Sequence, residues 1–497
     1  MTDYRLYKGM RPLEVLVFIV AFVALVATLP FKKQRPRVSL GLWAGAATFA
    51  VVQTLVEKPR WQMYPAYGII ALFAMVAFFS WRRQPQETIS EKPRRWPRVL
   101  AVVLGVLIMG VSTALAILLP VFSFEPPTGP FAVGTTTYEW VDMARTDEHP
   151  QTPTGHRRLV VEVRYPAAAS DAPREPYMDA QRAEAFAQSI KMPGLVMSHL
   201  SLVRTNARRD IPIAAGEARF PVILFSHGYP LPAATGTFAV EELASQGYVV
   251  VSISHTYDTS KVVFRDGTSG PLVMNGDVGR IDKVEKLLGP RISVWVADAR
   301  FVVNEIMKLD SADARFKGRL DLDRIGYFGH SFGGATAFAT LAADPRIKAG
   351  IDMDGAYFGA AAQARPTQPF MLMSADKIVI SDEQIKRAGL DGSGVTRKDL
   401  EAFLDGIEAA WSASVAPGKD PRYRARFAGV SHMGFSDLPL MIPAIAAGSL
   451  PVPKAHRLIN QYIGAFFEEH LKGLSSPLLR GPAADPAVTF SGSGAAL

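Results

Sequence analysis

The stretch Ile325-Gly-Tyr-Phe-Gly329-His330-Ser331-Phe332-Gly333-Gly334 runs from an apolar segment into a helix-compatible one, Gly333–Ala343. It reads as strand, sharp turn and helix, with Gly-x-Ser-x-Gly at the turn, the context a nucleophile elbow requires. Such a turn holds its serine in a strained backbone conformation with neighbours close on both sides. Glycine at 329 and 333 removes the side chains that would collide there. Ser331 is therefore expected at the carboxyl end of a sheet, beside a helix N-terminus, as a nucleophile. The plainer alternative is a tight turn whose serine caps the helix.

Outward from this turn, short β-branched runs alternate with helical windows. Arg158–Tyr165, Pro221–Ser226, Tyr248–Ser254, Arg324–Phe328, Ala349–Met353, Pro369–Ser374 and Tyr423–Phe427 read as strands. Phe238–Gln246, Ile292–Lys308, Gly333–Ala343 and Asp399–Ala413 have helical spacing. Alternation of this kind predicts an α/β fold, a mostly parallel sheet flanked by helices. Two inserts, 171–215 and 377–422, interrupt it and are candidates for the mouth of a site. The segment after Leu474, rich in Ser, Gly, Pro and Ala, reads as a loose tail.

A serine needs a base to attack at neutral pH. In a fold with this elbow the acid and then the histidine follow the serine in the chain. His432, His456 and His470 follow Ser331. His456 and His470 sit in polar helical windows and read as solvated surface. His432 lies in the loop Gly429-Val-Ser-His432-Met-Gly434 after a strand-like run, where a base can reach back to the elbow. The acid has two candidates at successive strand ends, Asp354 and Asp376, and position alone leaves both open; Asp352 lies within its strand and is the poorer choice. Donors for a developing oxyanion are the backbone N–H of Phe332, next to the serine, and that of Tyr229 in Phe225-Ser-His227-Gly228-Tyr229-Pro230. His227 precedes Ser331 and reads as structural.

The 497 residues contain no cysteine, which excludes disulfides, thiolate metal sites and a cysteine nucleophile. The composition, 48% apolar and 10% aromatic, excludes a disordered chain. The net charge of +8 is unevenly placed: residues 1–125 hold 15 Lys+Arg against 6 Asp+Glu, and the rest is close to neutral. The basic quarter also contains the uncharged stretches Val15–Phe31, Ser39–Val56, Trp61–Trp81 and Val99–Phe124. With about 20 apolar residues needed to cross a bilayer, the reading is four transmembrane helices. No small-x-small cleavage site follows the first run, which argues for a retained helix over a signal peptide. The excess of Lys and Arg in 32–38 and 82–98 places those loops in the cytoplasm and everything after Phe124 outside. The expected organisation is a membrane region over 1–124, a stiff linker over 125–135, a catalytic part over 136–474 and a flexible tail over 475–497. A near-neutral outer part gives no footprint for nucleic acid.

Taken together, these residues resemble the platelet-activating factor acetylhydrolase family of α/β-hydrolases. The matching segments are Phe220-Pro-Val-Ile-Leu-Phe-Ser-His-Gly228, Glu242-Leu-Ala-Ser-Gln-Gly-Tyr-Val-Val250, Ile253-Ser-His-Thr256, Gly329–Gly334, Ala349-Gly-Ile-Asp-Met-Asp-Gly355 and Gly429-Val-Ser-His-Met-Gly-Phe-Ser-Asp437. They span roughly 220–440 in the family's order. The resemblance implies an α/β-hydrolase fold and ester hydrolysis through an acyl-enzyme, with no metal or organic cofactor. Ser331 would be nucleophile, Asp354 acid and His432 base, with Tyr229 and Phe332 supplying the oxyanion amides. More distant relatives place the acid one strand later, where Asp376 stands. The implied partners are a carboxylic or phospholipid ester and, through the added helices, a lipid bilayer. An alternative within the class is an esterase on soluble xenobiotic esters or polyesters; a reading from another class is a membrane sensor or transport component with a non-catalytic hydrolase fold.

Overall fold

The computed structural model describes residues 9–28, 36–82, 95–147, 155–215, 219–273, 283–376, 396–418, 420–446 and 448–492. Its centre is an eleven-stranded sheet. In chain order the strands are β1 (Ala132–Thr146), β2 (His156–Ala167), β3 (Arg174–Pro176), β4 (Arg204–Arg209), β5 (Phe220–Ser226) and β6 (Val249–Ser254). Then come a small separate hairpin of β7 (Val262–Val263) and β8 (Ser269–Gly270), and β9 (Leu320–His330), β10 (Ile347–Met353), β11 (Phe370–Ser374), β12 (Arg422–Phe427) and β13 (Val488–Gly492). The spatial order is β13-β12-β11-β10-β9-β5-β6-β2-β1-β4-β3. The block from β12 to β6 is parallel throughout.

Parallel strands need covered crossovers, and the sequence supplies a helix at nearly every one. All seven residues of β5 are buried. Phe220, Val222 and Leu224 face α7 (Val284–Ala312) and α8 (Phe332–Ala343), whereas Ile223 and Phe225 face α6 (Thr237–Ser245) and the helix Val452–Lys472. A strand buried on both faces has no polar side, so it reads as an unbroken apolar run. The fold is an α/β-hydrolase fold. At its amino end α7 extends eight residues beyond the expected start at Ile292. Gly289 and Pro290 mark a break in a sequence reading, but here they lie inside the helix.

Strands β1, β3, β4 and β13 escaped the sequence reading: β3 and β13 are the short edge strands, and β1 and β4 lie inside the sheet but are rich in polar residues. Two expected boundaries are corrected. The linker over 125–135 is clamped to α6: Thr128 N–H donates to Glu242 (3.0 Å), Gly129 N–H to Ser245 Oγ (3.0 Å) and Phe131 N–H to Ser245 O (3.1 Å), and β1 begins at Ala132. The segment read as a loose tail closes the sheet instead. β13 pairs antiparallel with β12, and Phe490 packs on Tyr423 and Tyr462. Its polar alternation is what an edge strand covered on one side requires. The insert 171–215 also joins the core, through Met178, Phe186, Met197 and Leu200. Of the insert 377–422, residues 377–395 lie outside the described residues, and the helix Arg397–Ser414 packs through Phe403 and Trp411.

Among the described residues, the amino-terminal quarter forms four α-helices, α1 (Pro12–Ala27), α2 (Pro36–Val56), α3 (Tyr64–Arg82) and α4 (Arg95–Leu118). Three spans, Arg37–Val56, Trp61–Arg82 and Val99–Leu118, are long and apolar enough to cross a membrane. The helix α1 has 16 residues and is shorter than a span; at 1.5 Å per residue it covers about 24 Å of a hydrocarbon core about 30 Å thick. Large aliphatic side chains face outward here, such as Leu55 (77% exposed) and Leu107 (59%). At the end nearest the catalytic part, buried Arg60 donates to Glu14 (2.6 and 2.8 Å), Gly9 O (3.1 Å), Ala116 O (3.3 Å) and Leu119 O (3.2 Å). One guanidinium thus gathers the start of α1, the α2–α3 connection and the end of α4. Trp61 Nε1 then donates to Val196 O of the insert (3.2 Å), tying the helices to the catalytic part.

Deleting residues 488–497 should expose the β12 edge and the Tyr423 and Tyr462 rings. The expected outcome is a lower thermal midpoint and concentration-dependent association, read by differential scanning fluorimetry and light scattering.

Candidate active site

The chain leaves β5 toward β6 on one side and returns through β9 on the other. Helices α6 and α8, which follow these two strands, pack on opposite faces of the sheet. Their leading turns therefore diverge at the carboxyl ends of β5 and β9, the position where sheets of this kind bind ligands.

Ser331 sits there with φ 56° and ψ −121°. A serine in this sparsely populated region costs on the order of 1–3 kcal/mol, so its surroundings must impose it. Ser331 N–H donates to Met353 O (2.8 Å), and its carbonyl accepts from Gly334 and Ala335 N–H (2.9 and 3.1 Å). A Cβ at Gly329 would lie 2.3 Å from the Gly333 carbonyl carbon, and one at Gly333 only 2.2 Å from Ser226 O. Both glycines are required by contact, as the motif implied.

His432 Nε2 lies 3.0 Å from Ser331 Oγ, and its Nδ1 lies 2.7 Å from Asp354 Oδ2. A carboxylate only accepts, so Nδ1 carries the proton and Nε2 is left to accept from the serine hydroxyl. Asp354 turns sharply at the end of β10 (φ 63°), and its Oδ1 accepts from Ala375 N–H (2.7 Å). Asp376 is one strand further and holds the loop instead of the ring: its Oδ2 accepts from Gly429 N–H (3.2 Å), and its N–H donates to Val430 O (3.3 Å). Asp352 is buried and accepts from Gly355 N–H (2.8 Å). The His432 side chain is 36% exposed and that of Asp354 7%, so the relay runs from a buried carboxylate to an open edge.

The two amides expected to serve an oxyanion flank the serine. The Tyr229 and Phe332 rings are 6.1 Å apart, edge to face. A Cβ on Gly228 would lie 3.3 Å from Ser331 Cβ, so the loop 227–229 runs directly against the nucleophile. Among the described residues, neither the Tyr229 nor the Phe332 N–H has an acceptor. Phe332 opens α8, where a first-turn N–H has no intrahelical partner.

Two supporting residues were missed by sequence reasoning. His330, the variable residue of the elbow, is buried and donates from Nε2 to His432 O (2.9 Å), fixing the base's backbone. Asp437 accepts from Thr237 and Phe238 N–H at the start of α6 (3.0 and 3.2 Å) and from the Tyr177 hydroxyl (3.1 Å). The segment His432-x-x-Phe435-x-Asp437 therefore ties the histidine loop to the helix that follows the oxyanion loop, a carboxylate at a helix N-terminus being favourable. His456, expected on the surface, is buried with its ring stacked on Phe238 at 3.9 Å. The polar residues around it in the helix hid this, because the ring lies face to face on Phe238 in an apolar layer. A second Ser-His-Asp series, Ser226 Oγ to His255 Nε2 (2.8 Å) and His255 Nδ1 to Asp298 Oδ2 (2.9 Å), is completely buried. Its serine is also bonded to Tyr327 Oη (2.7 Å) and meets no solvent-facing cleft.

Burial pushes His227 and His330 down to about 3 and His456 down to about 4. Unfolded histidines titrate near 6.5, so below that pH the unfolded chain binds protons that the folded chain does not. Stability is then present above about pH 6.5 and falls by up to about 1.4 kcal/mol per histidine per unit as the pH drops toward the folded values. Urea midpoints should decline between pH 7.5 and 5.5, and His456→Phe, which keeps a ring on Phe238, should show the shallower decline.

The family model described as platelet-activating factor acetylhydrolase, isoform II, matches residues 123–267 and 298–472. The chain is 27% identical over 413 residues to a probable 1-alkyl-2-acetylglycerophosphocholine esterase of Arthroderma benhamiae, covering 76% of this chain and 97% of that one. It is 28% identical over 195 residues to the platelet-activating factor acetylhydrolase of Cavia porcellus, covering 35% of this chain and 44% of that one. A solved ferulic acid esterase from Streptomyces cinnamoneus superposes with a TM-score of 0.57 at 27% identity, over 74% of this chain and 98% of that one. The chain is a carboxylic ester hydrolase and belongs to the platelet-activating factor acetylhydrolase isoform II family.

Proposed function

We propose that this chain is a membrane-anchored serine esterase that removes short or oxidised sn-2 acyl groups from phospholipids. The observation that carries the reading is the continuous Asp354–His432–Ser331 relay, at 2.7 and 3.0 Å. Ser331 Oγ attacks the ester carbonyl while His432 Nε2 takes its proton. The tetrahedral oxyanion lies between the Tyr229 and Phe332 N–H groups. Asp354 stabilises the imidazolium, which then protonates the departing lysophospholipid oxygen. Water repeats the sequence on the acyl-serine and releases the carboxylic acid and free Ser331.

The relatives named for an acetylglycerophosphocholine ester support the substrate class. The apolar helices support a substrate drawn from a bilayer. A second reading, a soluble aryl ester, is favoured by the likeness to a ferulic acid esterase. Hydrolysis of a 2-acetyl phosphatidylcholine in vesicles, compared with methyl ferulate and p-nitrophenyl butyrate, separates them; turnover of the aryl esters alone would remove the phospholipid reading.

Ser331→Ala should lower kcat by at least about 10⁴-fold. Asp354→Asn should approach the same loss through the wrong imidazole tautomer, whereas Asp376→Asn should stay within about tenfold of the parent, because its carboxylate touches the loop and not the ring. Equal losses at the two aspartates would overturn the assignment.

The membrane reading is four crossings, with the amino terminus and the catalytic part on the extracytoplasmic side. The Arg60 contacts support it, since they bring residue 9, the α2–α3 connection and the end of α4 to one end of the bundle. A chain without cysteine suits single-cysteine mapping. On intact cells an impermeant maleimide should label Ser475→Cys, and should label Ser90→Cys only after permeabilisation. The reverse pattern would invert the topology.

A further inference from the structure

The buried Ser226–His255–Asp298 series has no catalytic use, yet it lies directly behind the loop that carries Tyr229. Its donors and acceptors admit one assignment. Asp298 is a buried carboxylate gripped by Arg157 (2.7 and 3.1 Å), so His255 Nδ1 must donate to it. Nε2 of the neutral ring then accepts from the Ser226 hydroxyl, whose oxygen accepts from Tyr327 Oη. This holds β6's end against β5's end. From that fixed point the backbone N–H of His255 donates to His227 Nε2 (3.3 Å). A backbone N–H can only donate, so the proton of neutral His227 resides on Nδ1. That proton goes to the Gly228 carbonyl, 3.0 Å away.

The Gly228 carbonyl and the Tyr229 N–H belong to one trans peptide plane and point in opposite directions. The carbonyl also accepts from Leu231 N–H (2.7 Å). Holding it from behind turns the Tyr229 N–H forward, toward the side on which Gly228 meets Ser331. Trp295 locks the arrangement from α7. Its indole stacks on His255 (3.8 Å), meets His227 edge to face (4.8 Å) and meets the Phe332 ring edge to face (4.8 Å). One buried indole therefore packs on His227, behind the Tyr229 loop, and on Phe332, whose own amide is the second expected oxyanion donor.

We infer that His227 is a positioning residue that sets the Tyr229 amide for the transition state, with the tautomer imposed by His255 and the plane braced by Trp295. The inference rests on the proposed roles of Ser331 and the Tyr229 amide. His227 touches no reacting atom. Its loss should therefore appear in kcat, because the oxyanion forms only in the transition state, and leave KM nearly unchanged.

The test compares two near-isosteric variants of the full-length protein. His227→Asn keeps a donor at the Nδ1 position, whereas His227→Gln places its amide at the Nε2 position and leaves the Gly228 carbonyl to Leu231 alone. Deleting an oxyanion donor outright costs about 10²–10³ in kcat. With Leu231 still bonded, His227→Gln should lose about 10- to 100-fold in kcat on p-nitrophenyl acetate, with KM within about threefold. Affinity for a trifluoromethyl ketone, whose serine hemiketal carries the oxyanion, should fall in parallel. His227→Asn should regain most of both losses. Thermal midpoints measured alongside separate misfolding from mispositioning: a loss that tracks the midpoint across both variants, a loss confined to KM, or equal kcat in both variants would each overturn the inference. Parent protein and Ser331→Ala run in the same assay; Ser331-independent turnover would overturn the esterase assignment itself, and the positioning role would fall with it.

Discussion

The approach of Gly333 to the carbonyl of Ser226 is the contact on which the catalytic end depends. It brings the turn after β9 against the turn after β5 so closely that no side chain fits between them. Ser331 can then adopt a positive φ and project its hydroxyl, because the strain is balanced by backbone hydrogen bonds to β10 and the first turn of α8. The same contact brings the 227–229 loop against Ser331 and the start of α8. The serine and the loop expected to serve it are thus held together by a single backbone packing event at the centre of the sheet.

Around that centre, buried polar groups hold the outer loops. Asp437 fixes the His432 loop to the start of α6, His330 holds the His432 carbonyl, and Asp298 anchors the strand ends beneath the oxyanion loop. Each is a charge or ring withdrawn from water, affordable in stability only because nearly every donor is matched. The aromatic stack of His227, His255 and Trp295 joins these supports to α7. Catalytic residues on loops are in this way referred to rigid helices and strands.

Much of this was legible in the sequence where the physics is local. The elbow, the glycines and the central strands are contiguous patterns, because burial on both faces writes an unbroken apolar run. Ser331 and His432 could be proposed by motif and order, and the acid narrowed to Asp354 or Asp376. What escaped depends on pairing across long separations. β13 is a polar edge strand and β1 an inner strand rich in polar residues, both recognisable only from their partners. The linker looked like a stiff spacer and the tail loose because Pro, Gly and Ser permit such states without requiring them, and here tertiary contacts used both segments. His456 looked solvated because the helix around it is polar, while its ring faces Phe238.

By itself the sequence determined the class of chemistry and its order along the chain: a serine at a strained turn, then an acid and a histidine, behind an apolar basic region. Those are properties of adjacent residues, and composition and spacing encode them. Only the tertiary structure distinguished Asp354 from Asp376, since the two strand ends differ by which carboxylate meets an imidazole 78 residues away. Only it showed one Ser-His-Asp series with a part-exposed histidine and another sealed within the sheet. The residues are the same in both; burial and the reach of a loop, neither visible in one dimension, assign them different work.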